Sequence, residues 1–498
     1  MKRSSGILLS VSSLPSEYGI GCFDKSAYDF VDWLAAAGQT YWQILPLGPT
    51  SYGDSPYQSF SAFGGNPYFI DLNEFISEGF LTEKECLTAF PVGSMKVDYN
   101  NLYRNRLPLL KKAFKNSGTF YKEKTEKFCK ENEWVDNYSL FMALKDKFNG
   151  KTFIEWERKI RLRDKSETEK YKALLKDETE FYCFLQYCFY NQWERLKKYA
   201  NSKGIGIIGD IPVYVAADSA DVWANPELFQ LDGNNLPINV AGCPPDGFSK
   251  TGQLWGNPLY KWEKHKEDGY KWWISRIKHC FKLYDVVRID HFRSFDEYYS
   301  IPADEKTAEN GQWKKGVGIE LFEAIKNAIG EREIIAEDLG FMTDTVKKLV
   351  RDSGFPNMKV LQFGFDSRDT GSRNDYLPHN YSENSVAYTG THDNQTIVSW
   401  LTTITDSEKK SVREYLCDKF TPDRLLYKSL IGLVMRSRSK LTVIPMQDWL
   451  GLTDECRMNT PSTLGENWRW RVDKKDLSEE LSKEIKKMTV MYGRKEEI

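Results

Sequence analysis

The sequence predicts an α/β fold, a (β/α)8 TIM barrel with a large helical insertion and long mouth loops. Three observations predict it. Eight short β-branched or apolar runs end in turn residues, helix-like stretches alternate with them, and acidic residues recur where several of the runs stop. Strands alternating with helices imply parallel βα units, and eight such units imply a closed barrel.

The first strand is read at Gly6 to Val11 and the second at Tyr41 to Leu45, with a helical pattern from Ser26 to Ala37 between them. The third is Gly204 to Ile208, ending at Gly209-Asp210, and the fourth is Tyr284 to Ile289, ending at Asp290-His291. Glu333 to Ala336 is the fifth, ending at Glu337-Asp338. Lys359 to Phe363, Ser385 to Tyr388 and Leu441 to Ile444 complete the set. Two connections are too long for simple βα units. Charged helical sequence from about Thr82 to Ala200 predicts a helical insertion subdomain (75–200) after strand two. A stretch rich in Pro, Gly, Asn and Asp predicts a mouth loop (212–262) after strand three. With no internal repeat or low-complexity tract, residues 1–498 read as one catalytic domain.

Acidic and basic residues nearly balance, leaving a formal net charge of −2, so the basic excess of a nucleic-acid binder is missing. Lysine-rich runs such as Lys122 to Lys130 carry interleaved acids and read as solvated helix faces. The 9 cysteines form no CxxC pair, which fits a reducing compartment. The apolar run after Met1-Lys2-Arg3 is too short for a signal peptide, and no stretch approaches the ~20 apolar residues of a membrane span. The expectation is a cytoplasmic protein, without a membrane or nucleic-acid partner, and a monomer by default. Aromatic residues make up 14% of the chain, and many tryptophans and tyrosines lie beside Gly, Pro, Asn and Asp. Aromatic faces on loops suit the apolar faces of pyranose rings, so carbohydrate enters as a ligand class.

Barrel active sites form at the carboxyl ends of the strands. Acids stand there repeatedly: Asp210, Asp290, Glu337 and Asp393. Singly, each reads equally well as a cap or a salt-bridge partner. Together they would repel one another unless a cation or a catalytic use held them. A metal-assisted hydrolase would add paired histidines, yet only 5 histidines exist, with no HxH or HExxH. His291 and His392 do neighbour the acids, so that reading stays open, but no metal or other cofactor is expected. A retaining glycosidase needs a nucleophile and an acid/base about 5–5.5 Å apart. Asp290, Glu337 and Asp393 could supply that pair and a third acid for sugar hydroxyls. Arg288, two residues before Asp290, faces the same side of a strand and would keep Asp290 ionised, with a structural salt bridge as the competing reading.

Val287-Arg288-Ile289-Asp290-His291-Phe292-Arg293, Ala336-Glu337-Asp338-Leu339-Gly340 and Gly390-Thr391-His392-Asp393-Asn394 resemble motifs of the α-amylase superfamily. Within it the chain resembles the amylomaltase, or 4-α-glucanotransferase, family. Further signs are Ser51 to Gln58, Gly209 to Tyr214, Pro244-Pro245-Asp246 with Gly252 to Pro258, and Arg457 to Pro461 leading to Asn467 to Arg471. The match runs in order from about residue 5 to 472.

The resemblance implies that Asp290 is the nucleophile, Glu337 the acid/base, and that Asp393 with His392 binds donor-sugar hydroxyls. Asp338 is the alternative acid, which alternation would turn away from the site. Tyr57 would stack under the donor ring, with Asp210 and Arg288 close by; Ser55, His291 and Asn467 join the substrate-binding set. Trp255 would lie on the acceptor side, in a mouth loop that also holds Phe248. Tyr52 and Tyr99 match a second glucan-binding groove, with plain packing as the competing reading. Ser462 and Cys243 depart from the expected residue types outside the triad. The implied activity transfers α-1,4-glucan segments between malto-oligosaccharides by retaining double displacement, without a cofactor. Carboxylates alone do not separate a transferase from a hydrolase of the same superfamily. A non-catalytic glucan-binding scaffold is the third reading; it would be expected to lack one of the acids.

Overall fold

The computed structural model describes residues 2–496, except Tyr52, 92–94, 246–248, Phe341 and 369–372. Among the described residues twelve strands run in chain order: β1 (Ser4–Leu8), β2 (Tyr41–Gln43), β3 (Gly206–Pro212), β4 (Asn239–Cys243), β5 (Gln253–Pro258), β6 (Val286–Asp290), β7 (Glu297–Pro302), β8 (Gln312–Lys315), β9 (Ile334–Ala336), β10 (Asn357–Val360), β11 (Ser385–Tyr388) and β12 (Leu441–Pro445). Eight of them close a parallel barrel in the order β1-β12-β11-β10-β9-β6-β3-β2. These are the eight strands read from the sequence, with shifted ends. The remaining four form an antiparallel sheet, β5-β4-β7-β8, which the sequence reading did not contain. Gly242, Gly256, Pro258 and Pro302 interrupt its strands, and weak local propensity of that kind conceals a sheet assembled from two separate loops.

The shifted ends have local causes. Strand one stops at Leu8 because the serines beyond it turn to other partners. Ser10 and Ser12 pair their hydroxyls at 2.7 Å, and Ser13 Oγ donates to the Trp470 carbonyl at 2.7 Å. Strand three runs on to Pro212, in register with β6 as far as Asp290, so Asp210 lies inside the strand rather than beyond it. Strand six begins at Asn357 and ends at Val360, where the chain turns into a 3-10 helix, Leu361–Phe365. There Gln362 Nε2 donates to the Gln395 carbonyl at 2.8 Å, so this residue leaves the ladder to brace the loop after β11.

The helix Lys25–Ala36 starts where Asp24 accepts the Ser26 N–H at 2.9 Å, and it buries Phe30, Val31, Trp33 and Leu34 against the barrel. Between β2 and β3 stand several helices, the longest of them Lys176–Ser202, which buries Phe181, Phe184, Phe189 and Trp193. Arg106, fully buried in the helix Tyr99–Ser117, donates to the carbonyls of Tyr18, Tyr68 and Ile70 and so fastens these helices to the barrel loops. Residues 212–262 include the helix Ala220–Ala224 together with β4 and β5, so the mouth segment is regular in part. Among the described residues no helix is long and apolar enough to cross a membrane. All nine cysteines are free thiols.

Candidate active site

On β6 the strand alternation puts Arg288 and Asp290 on one side. Arg288, 3% exposed, bridges two carboxylates: Nη1 reaches Asp210 Oδ2 at 2.6 Å and Nη2 reaches Asp290 Oδ1 at 3.0 Å. Its Nε points to Met358 Sδ at 3.2 Å. Asp210 is fully buried, whereas the Asp290 side chain keeps 31% of its surface open. Burial raises the Asp290 carboxyl, and Asp210 and Asp393 add to that; Arg288 and His392 oppose it. The guanidinium is therefore what lets Asp290 stay ionised.

Glu337 follows β9 directly and is 8% exposed. Its Oε2 accepts the His291 N–H at 2.6 Å and its Oε1 accepts the Leu339 N–H at 2.7 Å. His291 stands in the left-handed region (φ 53°), and this turn of the chain after Asp290 aims its N–H at the carboxyl. Burial first, and the Asp290 charge second, push Glu337 up to about 8 despite both N–H groups and Arg288. Two neighbouring carboxyls thus titrate apart, with Glu337 retaining its proton above the pH at which Asp290 ionises. Asp338 turns the other way, as alternation predicts. Its Oδ1 accepts the Met358 N–H at 2.9 Å and its Oδ2 the Asn357 amide at 3.2 Å, so it anchors the start of β10.

Asp393 lies in the loop after β11, which Asn394 shapes by accepting the Thr391 N–H at 2.8 Å. Asp393 Oδ1 accepts Asn459 Nδ2 at 2.7 Å and lies 3.3 Å from His392 Nε2. Arg457 holds the Asp393 carbonyl. His392 stacks on Tyr57, with centroids 5.1 Å apart and planes 18° apart, and Trp468 borders both rings. The Tyr57 hydroxyl donates to Asp210 Oδ2 at 2.8 Å and lies 3.4 Å from His392 Nδ1. One continuous set of contacts therefore joins Asp290, Arg288, Asp210, Tyr57, His392 and Asp393.

Trp255 on β5 meets His291 edge to face at 4.8 Å, and burial lowers that imidazole to about 3, so it is neutral at ordinary pH. Ser55 Oγ accepts the Tyr57 N–H at 3.3 Å and so shapes the turn that carries Tyr57. Asn467 braces its own loop, accepting the Thr460 N–H at 2.9 Å and donating to the Thr463 carbonyl at 2.9 Å. The Tyr99 hydroxyl donates to the Trp468 carbonyl at 2.9 Å. Tyr52, Asp246 and Phe248 lie outside the described residues. Asn459, Arg457 and Trp468 belong to this site, yet the sequence reading gave them no role. They stand far down the chain from the acids, and the only signal was their place in the Arg457 to Arg471 motif. Among the described residues no group of three or more His, Cys, Asp or Glu is arranged to hold a metal ion.

Comparison with known proteins gives a family for the whole chain. Residues 9–477 match the family model described as 4-alpha-glucanotransferase. The chain is 49% identical to a 4-alpha-glucanotransferase of Clostridium butyricum, over 98% of this chain and all of that one. It is 44% identical to that of Thermus thermophilus, over 98% of each. Among solved structures it resembles an amylomaltase from Streptococcus agalactiae in complex with acarbose, with a TM-score of 0.96, 42% identity, and coverage of 99% of this chain and 100% of that one. An amylomaltase from Corynebacterium glutamicum, 19% identical with a TM-score of 0.76, shares the fold; the match covers 99% of this chain and 75% of that one. By the reach of the family match and the identity to these relatives, the chain belongs to the 4-alpha-glucanotransferase family.

Proposed function

We propose that the protein transfers α-1,4-glucan segments between malto-oligosaccharides by a retaining double displacement, with Asp290 as nucleophile and Glu337 as acid/base. The observation that carries the reading is the divergence of the two carboxyls: Glu337 is raised to about 8 by burial and by its neighbour, while Arg288 holds Asp290 at 3.0 Å. In the first step an Asp290 oxygen attacks the anomeric carbon, the glycosidic C–O bond breaks, and the Glu337 proton goes to the departing 4-oxygen. The donor fragment is left as a glycosyl ester on Asp290. In the second step Glu337, now ionised, takes the proton of an acceptor 4-hydroxyl. That oxygen attacks the same carbon, the ester bond breaks, and Asp290 is restored. Asp393, His392 and Asn459 are the groups suited to hold donor hydroxyls, and Tyr57 to lie against the donor ring. Trp255 borders the acceptor side.

Binding of an acarbose ligand by the Streptococcus agalactiae amylomaltase supports an α-glucan ligand here. Preference for a sugar over water requires binding energy on the acceptor side and restricted water access. We also read 75–200 as a subdomain grown from the loop after β2, the protein as a monomer, and the free thiols as a sign of a reducing, cytoplasmic setting. Purified protein incubated with maltotriose alone tests the activity. A ladder of longer and shorter oligomers plus glucose, at constant reducing ends, is the expected outcome. Rising reducing ends with only shorter products would make the protein a hydrolase.

A further inference from the structure

The edge strand β8 is exposed at all four residues, and one of them is a tryptophan. Trp313 keeps 38% of its surface open. It is not loosely held. The Arg293 guanidinium lies 4.0 Å from the centroid of its ring, and Tyr299, its partner across β7, packs against it at 5.2 Å and 63°. Cation–π and edge contacts of this kind fix a ring in place.

What the ring is fixed to matters more. Arg293 belongs to the turn Phe292–Phe295, which begins two residues after Asp290, and the His291 N–H at its head holds Glu337 Oε2. Beyond β8 the chain is clamped to the same turn. Gly316 N–H donates to the Asp296 carbonyl and Gly318 N–H to the Phe295 carbonyl, each at 2.6 Å. A Cβ at position 316 would lie 2.3 Å from the Phe295 oxygen, so only glycine allows this approach. At the opposite edge of the sheet, Trp255 on β5 meets His291 at 4.8 Å. Trp255 and Trp313, on the two outer strands of one four-stranded sheet, therefore each touch the turn that follows the proposed nucleophile, at His291 and at Arg293.

We propose that Trp313 forms an outer acceptor subsite, taking the apolar face of an α-1,4-glucan acceptor chain beyond the sugars nearest Trp255. This deepens the glucanotransferase reading and rests on it. Trp313 is a specificity-determining residue under this proposal: it favours long acceptors and leaves the chemistry of Asp290 and Glu337 untouched. If the indole only covered Arg293, any apolar side chain of similar size would serve.

The test uses α-maltosyl fluoride as donor, with glucose or maltopentaose as acceptor, for the wild type, Trp313→Phe and Trp313→Leu. For Trp313→Leu the expected result is a roughly tenfold rise in KM for maltopentaose, with kcat and the KM for glucose within about twofold of wild type. Trp313→Phe, which keeps a π-face, should fall between the two. An unchanged ratio of the two KM values, or an equal loss for both acceptors, would overturn the proposal. Should Trp313→Leu fail to fold, Trp313→Phe decides by the same criterion: a rise confined to maltopentaose supports the subsite, and no rise or a uniform one overturns it. A wild type that only hydrolyses the fluoride would instead sink the transferase reading beneath it.

Discussion

Arg288 does at one residue what the whole site depends on. A single guanidinium contacts Asp210 at 2.6 Å and Asp290 at 3.0 Å, and it is the larger of the charges that lower Asp290 against the burial that raises it. Three predictions belong at this scale. Asp290→Asn should lower transfer by roughly four orders of magnitude or more while the fold persists, as measured by product ladders and circular dichroism. Transfer above about a hundredth of wild type, in material free of deamidated protein, would remove Asp290 from the nucleophile role. The second concerns pH. Under the proposed mechanism transfer needs Asp290 ionised and Glu337 protonated, so the rate should fall on the acid side as Asp290 gains a proton near 6, and on the alkaline side as Glu337 loses one near 8. Glu337→Gln should abolish the alkaline limb and slow both half-reactions with ordinary glucans. A glycosyl fluoride, whose leaving group needs no proton, should restore only the first. The same substitution tests the stability sign. Glu337 is raised above its unfolded value of about 4.3, so the unfolded state loses its proton first and stability declines as pH climbs from there to about 8. Glutamine does not titrate, so Glu337→Gln should raise Tm by an increment that grows across that interval. An increment independent of pH would refute the assigned shift.

At the scale of elements, neighbouring acids on one strand end divide their work. Glu337 faces the site, while Asp338 satisfies the Met358 N–H and the Asn357 amide at the start of β10. Asp338→Ala leaves those donors without their acceptor and should cost about 1–3 kcal/mol of stability. It should leave the alkaline limb of the pH profile in place, because Glu337 is untouched. A lost alkaline limb in thermally stable Asp338→Ala protein would instead make Asp338 the acid. Alternation along the strand foretold this division from the sequence. It could not foretell the antiparallel sheet β5-β4-β7-β8, because its pairing joins residues 239–258 to residues 297–315 and rests on contacts no local window contains. Nor could it give the true end of β3, where pairing with β6 carries the strand past Gly209 to Pro212.

At the scale of the molecule, the barrel closes where the first strand meets the last. β1 pairs with β12 from Ser4↔Leu441 to Leu8↔Pro445. Below that seam sits Arg494, 1% exposed, whose Nη1 donates to the Ser4 and Ser439 carbonyls at 2.9 and 3.1 Å, and whose Nε donates to the Met435 carbonyl at 2.6 Å. Arg494→Leu would leave these buried carbonyls unpaired and should lower stability by roughly 3 kcal/mol or more. Denaturant unfolding should show the loss, with the pH profile of transfer unchanged; full stability in the variant would mean that water replaces the guanidinium.

What the sequence alone determined is the alternation of eight strands with helices, the acids at their ends and the ordered family motifs, because periodicity and motif spacing are local properties of a chain. Tertiary structure decided the rest. It ranked the carboxyls, since a pKa depends on burial and neighbouring charge. It turned Asp338 from a rival acid into a strand anchor, and brought Asn459, Arg457 and Trp468, from the chain after the neighbouring strand β12, to Asp393 and His392. It also set Trp313 beside the turn after Asp290, through a sheet whose strands come from two loops. Each of these depends on groups distant in sequence, whose proximity exists only once the barrel has closed.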